Sequence, residues 1–316
     1  MSEAQISETQ IKDDRFTFQK SEDTASEHIA APTYSYWRSV FRQFFSNKVA
    51  IAMLVIVIFV VLMSIIDPLI SHYDPMVAPN INNSSMKYIR PNSQYLFGTD
   101  DKGNSLFDAV WAGTRTSLFV SFVSTAIVVV IGTLVGMWWG FSKRVDAVMI
   151  EVYNVVANIP TTLIAMVLMY ALGSGLWQLI FAMCITNWVG VAYFIRVQVM
   201  IIRDREYNLA SKCLGTSNHT IIMKNILPYL VSVIMTEVSR DIPSFISLEV
   251  FFSYLGIGLS REIPSLGRMI QDYSPYLVST PYLFWIPVAV SAVISVSLYI
   301  VGQTLADASD PRTHMM

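Results

Sequence analysis

Thr116-Ser-Leu-Phe-Val-Ser-Phe-Val-Ser-Thr-Ala-Ile-Val-Val-Val-Ile-Gly-Thr-Leu-Val-Gly-Met-Trp-Trp-Gly-Phe-Ser142 runs for 27 residues without a charge. A bilayer core about 30 Å thick takes roughly 20 such residues as a helix. One stretch of this kind could be a buried helix of a water-soluble core, but here it has company. Val49–Ile66 is charge-free for 18 residues, Val152–Ile195 for 44 and Tyr273–Ala306 for 34. The second of these suits two helices, divided at Gly173-Ser174-Gly175, where a turn is wanted. Ile226–Leu259 is apolar apart from Glu237, Arg240, Asp241 and Glu249. Six spans are expected, at about 49–67, 116–141, 150–172, 176–200, 229–258 and 282–305.

Composition agrees. Of 316 residues 53% are apolar and 14% charged, against roughly 25% charged in an average soluble domain. Residues 1–30 hold 10 of the 44 charged residues, leaving 34 for the other 286. The net charge of −2 supplies no basic field for nucleic acid. Lys and Arg near the span ends set the orientation. Eleven fall on one side (Arg38, Arg42, Lys48, Lys143, Arg144, Arg196, Arg203, Arg205, Lys212, Lys224 and Arg312). Six fall on the other (Lys87, Arg90, Lys102, Arg115, Arg261 and Arg268). Both termini are therefore expected in the cytoplasm of a multi-pass cell-membrane protein.

The expected organisation follows. Residues 1–32 form an acidic cytoplasmic tail and 33–48 an amphipathic helix. The first span is 49–67, and an external loop covers 68–115. A core of five spans covers 116–305, and 306–316 form a cytoplasmic tail. In the helix at 33–48, Trp37, Val40, Phe41, Phe44 and Phe45 make one apolar stripe beside Arg38 and Arg42, the pattern of a helix lying in the membrane interface. Its competitor is a plain start of the first span. Asp67-Pro68 is expected to break the helix at the outer end of that span.

Sites for chemistry are scarce. Gly98–Ser105 matches the phosphate loop G-x-x-x-x-G-K-S except at the lysine, where Asn104 stands. That lysine reaches the terminal phosphates, and Asp100 and Asp101 would repel them, so a turn feeding a helix from Ser105 is the better reading. His28, His72, His219 and His314 form no H-E-x-x-H, and Cys184 and Cys213 form no metal-ligand spacing. No catalytic residue, metal or cofactor is expected. Glu237, Arg240 and Asp241 stand at i, i+3 and i+4 and share a helix face. Ionised groups in a span are costly, so that face should meet the bundle interior or water. A translocation path, a structural ion pair and proton or ion coupling all fit it. Pro243 should kink the helix beyond.

Between the fourth and fifth spans, Arg203–Pro228 reads as two short helices. Glu206–Leu214 forms the first, with small residues Ala210 and Ser211 exposed. Gly215 ends it, Thr216 or Ser217 caps the second, and Pro228 opens the fifth span. Such a helix-turn-helix could dock into a cleft on a partner or simply connect two spans.

Here the chain resembles the membrane subunits of ATP-binding-cassette (ABC) importers, whose cytoplasmic loop reads E-A-A, three residues, G, nine residues, I-x-L-P. Leu209-Ala210-Ser211 and Gly215 fall on that pattern, and Ile226-Leu227-Pro228 follows its end with one departure, Ile226 standing next to Leu227. Leu209 replaces the usual glutamate, which leaves Glu206, one turn earlier, as a substitute. Phe97-Gly98-Thr99-Asp100, Ser253–Gly258 with Pro264-Ser265-Leu266-Gly267, and Leu305–Arg312 are similar to segments of oligopeptide and dipeptide permeases. The resemblance covers about 34–312. It implies the all-α architecture of the type I importer permease with six spans. It also implies a second homologous permease subunit, two cytoplasmic ATPase subunits, an extracellular peptide-binding protein, peptide cargo and surrounding lipid. ATP is then hydrolysed by partners, and Glu206, Leu209, Ala210, Ser211, Leu214, Gly215, Thr216 and Ser217 form the coupling loop. A secondary transporter using the charges of the fifth span is the alternative. It predicts inverted repeats, and no repeat at a fixed offset relates the two halves.

Overall fold

A computed structural model describes residues 36–78 and 80–309. The acidic head and the segment from Asp310 to Met316, with Arg312, lie outside the described residues. Helix α1 (Tyr36–Phe44) is followed by α2 (Lys48–Ser71), with Asn47 Oδ1 accepting from the Val49 and Ala50 amides. The α1 stripe divides. Val40 and Phe44 are buried, while Trp37, Phe41 and Phe45 are exposed. Helix α2 is apolar on all sides and continues through Pro68 to Ser71, where His72 takes a left-handed conformation (φ 50°). The expected break at Asp67-Pro68 is thus one turn late. A proline in the last turn removes a single ladder bond, which the helix tolerates.

Residues 72–78 and 80–105 fold over one end of the long helices. Thr99 Oγ1 accepts from the Ile89 amide and donates to the Met86 carbonyl, and the Tyr282 hydroxyl donates to the Ile89 and Thr99 carbonyls. Asp100 Oδ1 accepts from the Lys102 and Asn104 amides at 2.9 and 2.7 Å. Burial raises the Asp100 carboxyl above the ordinary range, and those two amides partly offset the shift. Gly98–Ser105 is therefore a tight turn closed on its own aspartate, and Ser105 caps α3 (Leu106–Phe141). Helix α3 starts ten residues before the expected span. Asp108 and Arg115 bound the charge-free window, but they sit in the first three turns of one continuous helix.

The third expected span, 150–172, is not one helix. Lys143–Ala157 (α4) and Thr161–Leu172 (α5) meet at 75°. Pro160 causes the break, because it disfavours helical geometry in the residue before it. After Gly173 (φ 83°) comes α6 (Leu176–Arg203). Helices α7 (Glu206–Cys213) and α8 (Asn218–Ile221) form the loop before α9 (Leu227–Tyr254). Helix α9 runs through Pro243, and α10 (Leu266–Tyr273) and α11 (Pro281–Ala308) complete the described chain. Among the described residues, five helical segments are long and apolar enough to cross a membrane, or six if the bent α4–α5 pair counts as one.

Helices α3 and α6 make the tightest pair. Gly132, Gly136 and Gly140 form a stripe along α3. A Cβ at Gly136 would stand 2.5 Å from the Ala192 carbonyl and 2.8 Å from Ile195 Cβ. Small residues at this spacing let two backbones approach in lipid, where dispersion and not water exclusion drives association. Near the C-terminal end of α3 Arg196 Nε meets Asp146 Oδ1 at 2.5 Å, the Trp139 indole donates to the same oxygen, and Arg203 Nη1 donates to the Gly140 carbonyl. These bonds tie α3, α4 and α6 together. One apolar core lies between α3, α5, α6 and α9 (Val128, Met183, Ile195, Phe252), and a second between α2, α3, α9, α10 and α11 (Val60, Trp111, Ile246, Leu283).

Candidate functional site

The loop between α6 and α9 is built by four local devices. The Gly215 N–H donates to the Lys212 carbonyl and the Thr216 N–H to the Ser211 carbonyl, at 3.1 and 3.0 Å, with Gly215 at φ 80°. This paired 5→2 and 6→1 closure is a Schellman motif. Ser217 Oγ, rather than Thr216, caps the second helix by accepting from the Thr220 amide. Buried Asn208 clamps α7 to the end of α6 and to Asn225, just beyond α8. Its Nδ2 donates to the Ile202 carbonyl and its Oδ1 accepts from Asn225 Nδ2, both at 3.0 Å.

The fourth device is a wide π turn at Ile222–Ile226, closed by the Leu227 N–H on the Ile222 carbonyl. It lies directly before Pro228, which has no N–H for the α ladder and would crowd the carbonyl four residues back. With that adjustment the helix is continuous from Asn218 to Tyr254. The loop is thus the end of a membrane-spanning helix as well as a connector.

Most of the singled-out loop residues lie at the surface. Glu206, Leu209, Ala210, Leu214, Gly215 and Ser217 are exposed, whereas Ser211 and Thr216 are half-buried. Ser211 Oγ donates to the Tyr207 carbonyl and stands 3.4 Å from Asn225 Nδ2, so it serves the clamp. Leu214 is 86% exposed at the turn and Leu209 48%. Two leucines held out by a rigid turn form an apolar tip of the kind that another protein's cleft can bury. Tyr207 and Tyr229 stack with ring centroids 6.3 Å apart at the base of the loop, and burial together with Tyr229 raises the Tyr207 phenol.

The charged face of α9 is distinct from the loop. Glu237 is fully buried and meets Arg240 Nη2 at 2.5 Å; Arg240 Nε lies 4.0 Å from Asp241 Oδ1. The Arg240 side chain is 59% exposed and its guanidinium lies 6.0 Å from the Phe194 ring centre. A guanidinium open to hydrocarbon is costly, so protein or water must cover this surface.

Sequence reasoning left two groups without a role. Glu249 is completely buried, with Oε2 accepting from Ser117 Oγ at 2.7 Å and Oε1 from Ser253 Oγ at 2.8 Å. Ser117 Oγ also accepts from the Leu266 amide, so this carboxylate joins α3, α9 and the start of α10. Asn208 and Asn225 are the other group. Their separation of 17 positions gave no signal, because it becomes meaningful only when the turn folds back.

Among the described residues no group of His, Cys, Asp and Glu could hold a metal. The arrangement offers a docking element joined to a span, and no reaction centre emerges from it.

Comparison with known proteins places the chain. The family model "binding-protein-dependent transport system inner membrane component" matches residues 129–315, and the model for the N-terminal membrane domain of oligopeptide transport permease C matches 35–91. The chain belongs to the binding-protein-dependent transport system inner membrane component family. It is 52% identical to the oligopeptide transport system permease protein AmiD of Streptococcus pneumoniae, over 96% of this chain and 99% of that one. The oligopeptide permease OppC of Bacillus subtilis is 32% identical over 91% and 93% of the two chains, and the dipeptide permease DppC of the same organism 32% over 96% and 94%. A solved methionine ABC transporter, MetNI, in inward-facing form aligns with a TM-score of 0.49 at 17% identity, over 64% of this chain and 96% of that one. The chain is thus a multi-pass membrane permease subunit, which decides against the secondary-transporter alternative.

Proposed function

We propose that this chain is one of two paired permease subunits of an ATP-driven importer of oligopeptides. A binding protein hands cargo over on the outer side, and two ATPase subunits drive the cycle from the cytoplasm. The observation that carries the reading is the loop tip. Leu209 and Leu214 project from a capped, clamped helix pair that continues without interruption into α9. Closure of the ATPases around Glu206–Ser217 would move α9 and, with it, Glu237, Arg240 and Asp241. That polar face would line the translocation path, where a water-filled passage or the second permease covers Arg240. Helix α1 would lie in the membrane interface, with Trp37, Phe41 and Phe45 toward the acyl chains and Arg38 and Arg42 toward the headgroups. The 52% identity to an oligopeptide permease supports the cargo class over dipeptides.

Peptide uptake in cells, measured separately under ATP depletion and under collapse of the proton gradient, tests the energy source. Uptake that survives ATP depletion yet stops with the gradient overturns the reading. Cys213, exposed in α7, tests the topology, because Cys184 is buried. An impermeant thiol reagent should label Cys213 in inside-out vesicles, and labelling in intact cells would place the loop outside.

A further inference from the structure

A cavity of about 550 Å³ opens beside the coupling loop, between the α3–α4 turn and helices α7 and α8. Its wall carries four cations, Lys143, Arg144, Arg203 and Lys212, against one carboxylate, Asp204. Arg203 is held in place, with Nε 3.2 Å from Asp204 and Nη1 on the Gly140 carbonyl. Among the described residues no carboxylate pairs with Lys143, Arg144 or Lys212. The first turn of α4 and Asn218, which starts the long helix leading to Tyr254, also line the cavity. Two helix starts therefore add the positive ends of their dipoles to the four side chains. The site is built for an anion carrying several acceptor oxygens.

Its aromatic neighbours select the source. Phe141 lines the cavity and Trp138, one turn earlier on α3, is half exposed, as suits an anchor at the headgroup level. Basic pockets between helices on the cytoplasmic side of a membrane receive phosphate headgroups.

We infer that this cavity binds the headgroup of an anionic phospholipid from the cytoplasmic leaflet, next to the loop that meets the ATPases. The inference rests on the cytoplasmic placement of that loop. Bound lipid would bridge α4 to α7 and hold the loop against the inner end of α3, so the lipid composition would tune how firmly the loop is presented.

The test uses the full chain assembled with its partners in lipid discs, either phosphatidylcholine alone or equal parts phosphatidylcholine and phosphatidylglycerol. Immobilisation of spin-labelled phosphatidylglycerol is read without nucleotide, so failure of the transport reading leaves this measurement intact. Each cation near the membrane is worth about fivefold in affinity, so the double variant Lys143→Gln/Arg144→Gln should lose about 25-fold. The swap Lys143→Arg/Arg144→Lys should retain binding, which separates lost charge from misfolding. Equal binding by native protein and the glutamine variant overturns the inference. So does displacement of the labelled lipid by dissolved inorganic phosphate at matched concentration, which would make the ligand a free anion. A glutamine variant that keeps the lipid but sheds the ATPases would assign the cavity to an acidic protein surface and overturn it equally.

Discussion

Replacing Gly215 isolates backbone geometry from contact. The residue sits at φ 80° in the turn between α7 and α8, and a Cβ built on it meets nothing within 4 Å. No clash inside this chain accompanies a substitution, so the effect comes from the backbone alone. An L-residue held in the left-handed region costs roughly 1–2 kcal/mol, and asparagine bears that conformation better than other residues. The two turn bonds, Gly215 N–H to Lys212 and Thr216 N–H to Ser211, then compete with an open form of the loop. For Gly215→Ala the closed population should fall about 5- to 30-fold relative to the open one. Gly215→Asn should fall less. Gly215→Val should fall further, because a β-branched residue at positive φ is a genuine outlier. Affinity between the permease pair and its ATPases in detergent, read beside peptide-stimulated ATP hydrolysis in proteoliposomes, should follow the order Gly, Asn, Ala, Val. A valine variant that binds as tightly as the native chain refutes the reasoning. So does an asparagine variant as weak as valine, since bulk at the partner's surface would then decide the outcome.

Three further substitutions probe other links. Asn208→Ala removes two hydrogen bonds, leaving the Ile202 carbonyl to the Arg205 N–H and the Asn225 amide to Ser211 Oγ, and should cost about 1–3 kcal/mol of local stability; hydrogen exchange across α7 and α8 should rise while α3 is unchanged, and uniform exchange would deny the clamp. Leu214→Ala removes apolar surface that is 86% exposed among the described residues, so thermal stability should hold while ATPase affinity drops by up to about 1.5–3 kcal/mol; unaltered affinity would mean the tip is not buried in the complex. Gly136→Val forces a side chain against the Ala192 carbonyl and Ile195 and should lower the melting temperature through about 1–3 kcal/mol of overpacking. A neutral result in circular-dichroism melts would mean that α3 and α6 do not pack as described.

Much of this was written in the charges, because an ionised group is nearly forbidden in hydrocarbon and its absence is easy to see. The windows at 49–66 and 176–195 fall inside α2 and α6 for that reason. The same signal misled where a helix outruns the bilayer. Asp108 and Arg115 closed the window at 116, although Ser105 already offered a cap eleven residues earlier. The break at Pro160 lay inside a charge-free run, where hydropathy cannot register a bend and only the proline could have marked it. In the loop, Gly215 and Ser217 were legible because turn chemistry is local. The Asn208–Asn225 clamp and the Glu249–Ser117 bond were not, since their partners are 17 and 132 positions apart and meet only through packing.

The unbroken helix from Asn218 to Tyr254 has a mechanical consequence. Glu237 stands 19 residues beyond Asn218, about 28 Å along the axis at 1.5 Å per residue. A rigid rod of that length converts a tilt of about 10° at one end into a sideways sweep of roughly 5 Å at the other, near the width of a peptide backbone. On the proposed reading, small rotations at the loop would be enough to open or shut the passage beside Glu237, and the stiffness of the stretch at Ile222–Ile226 would set how much of the stroke arrives.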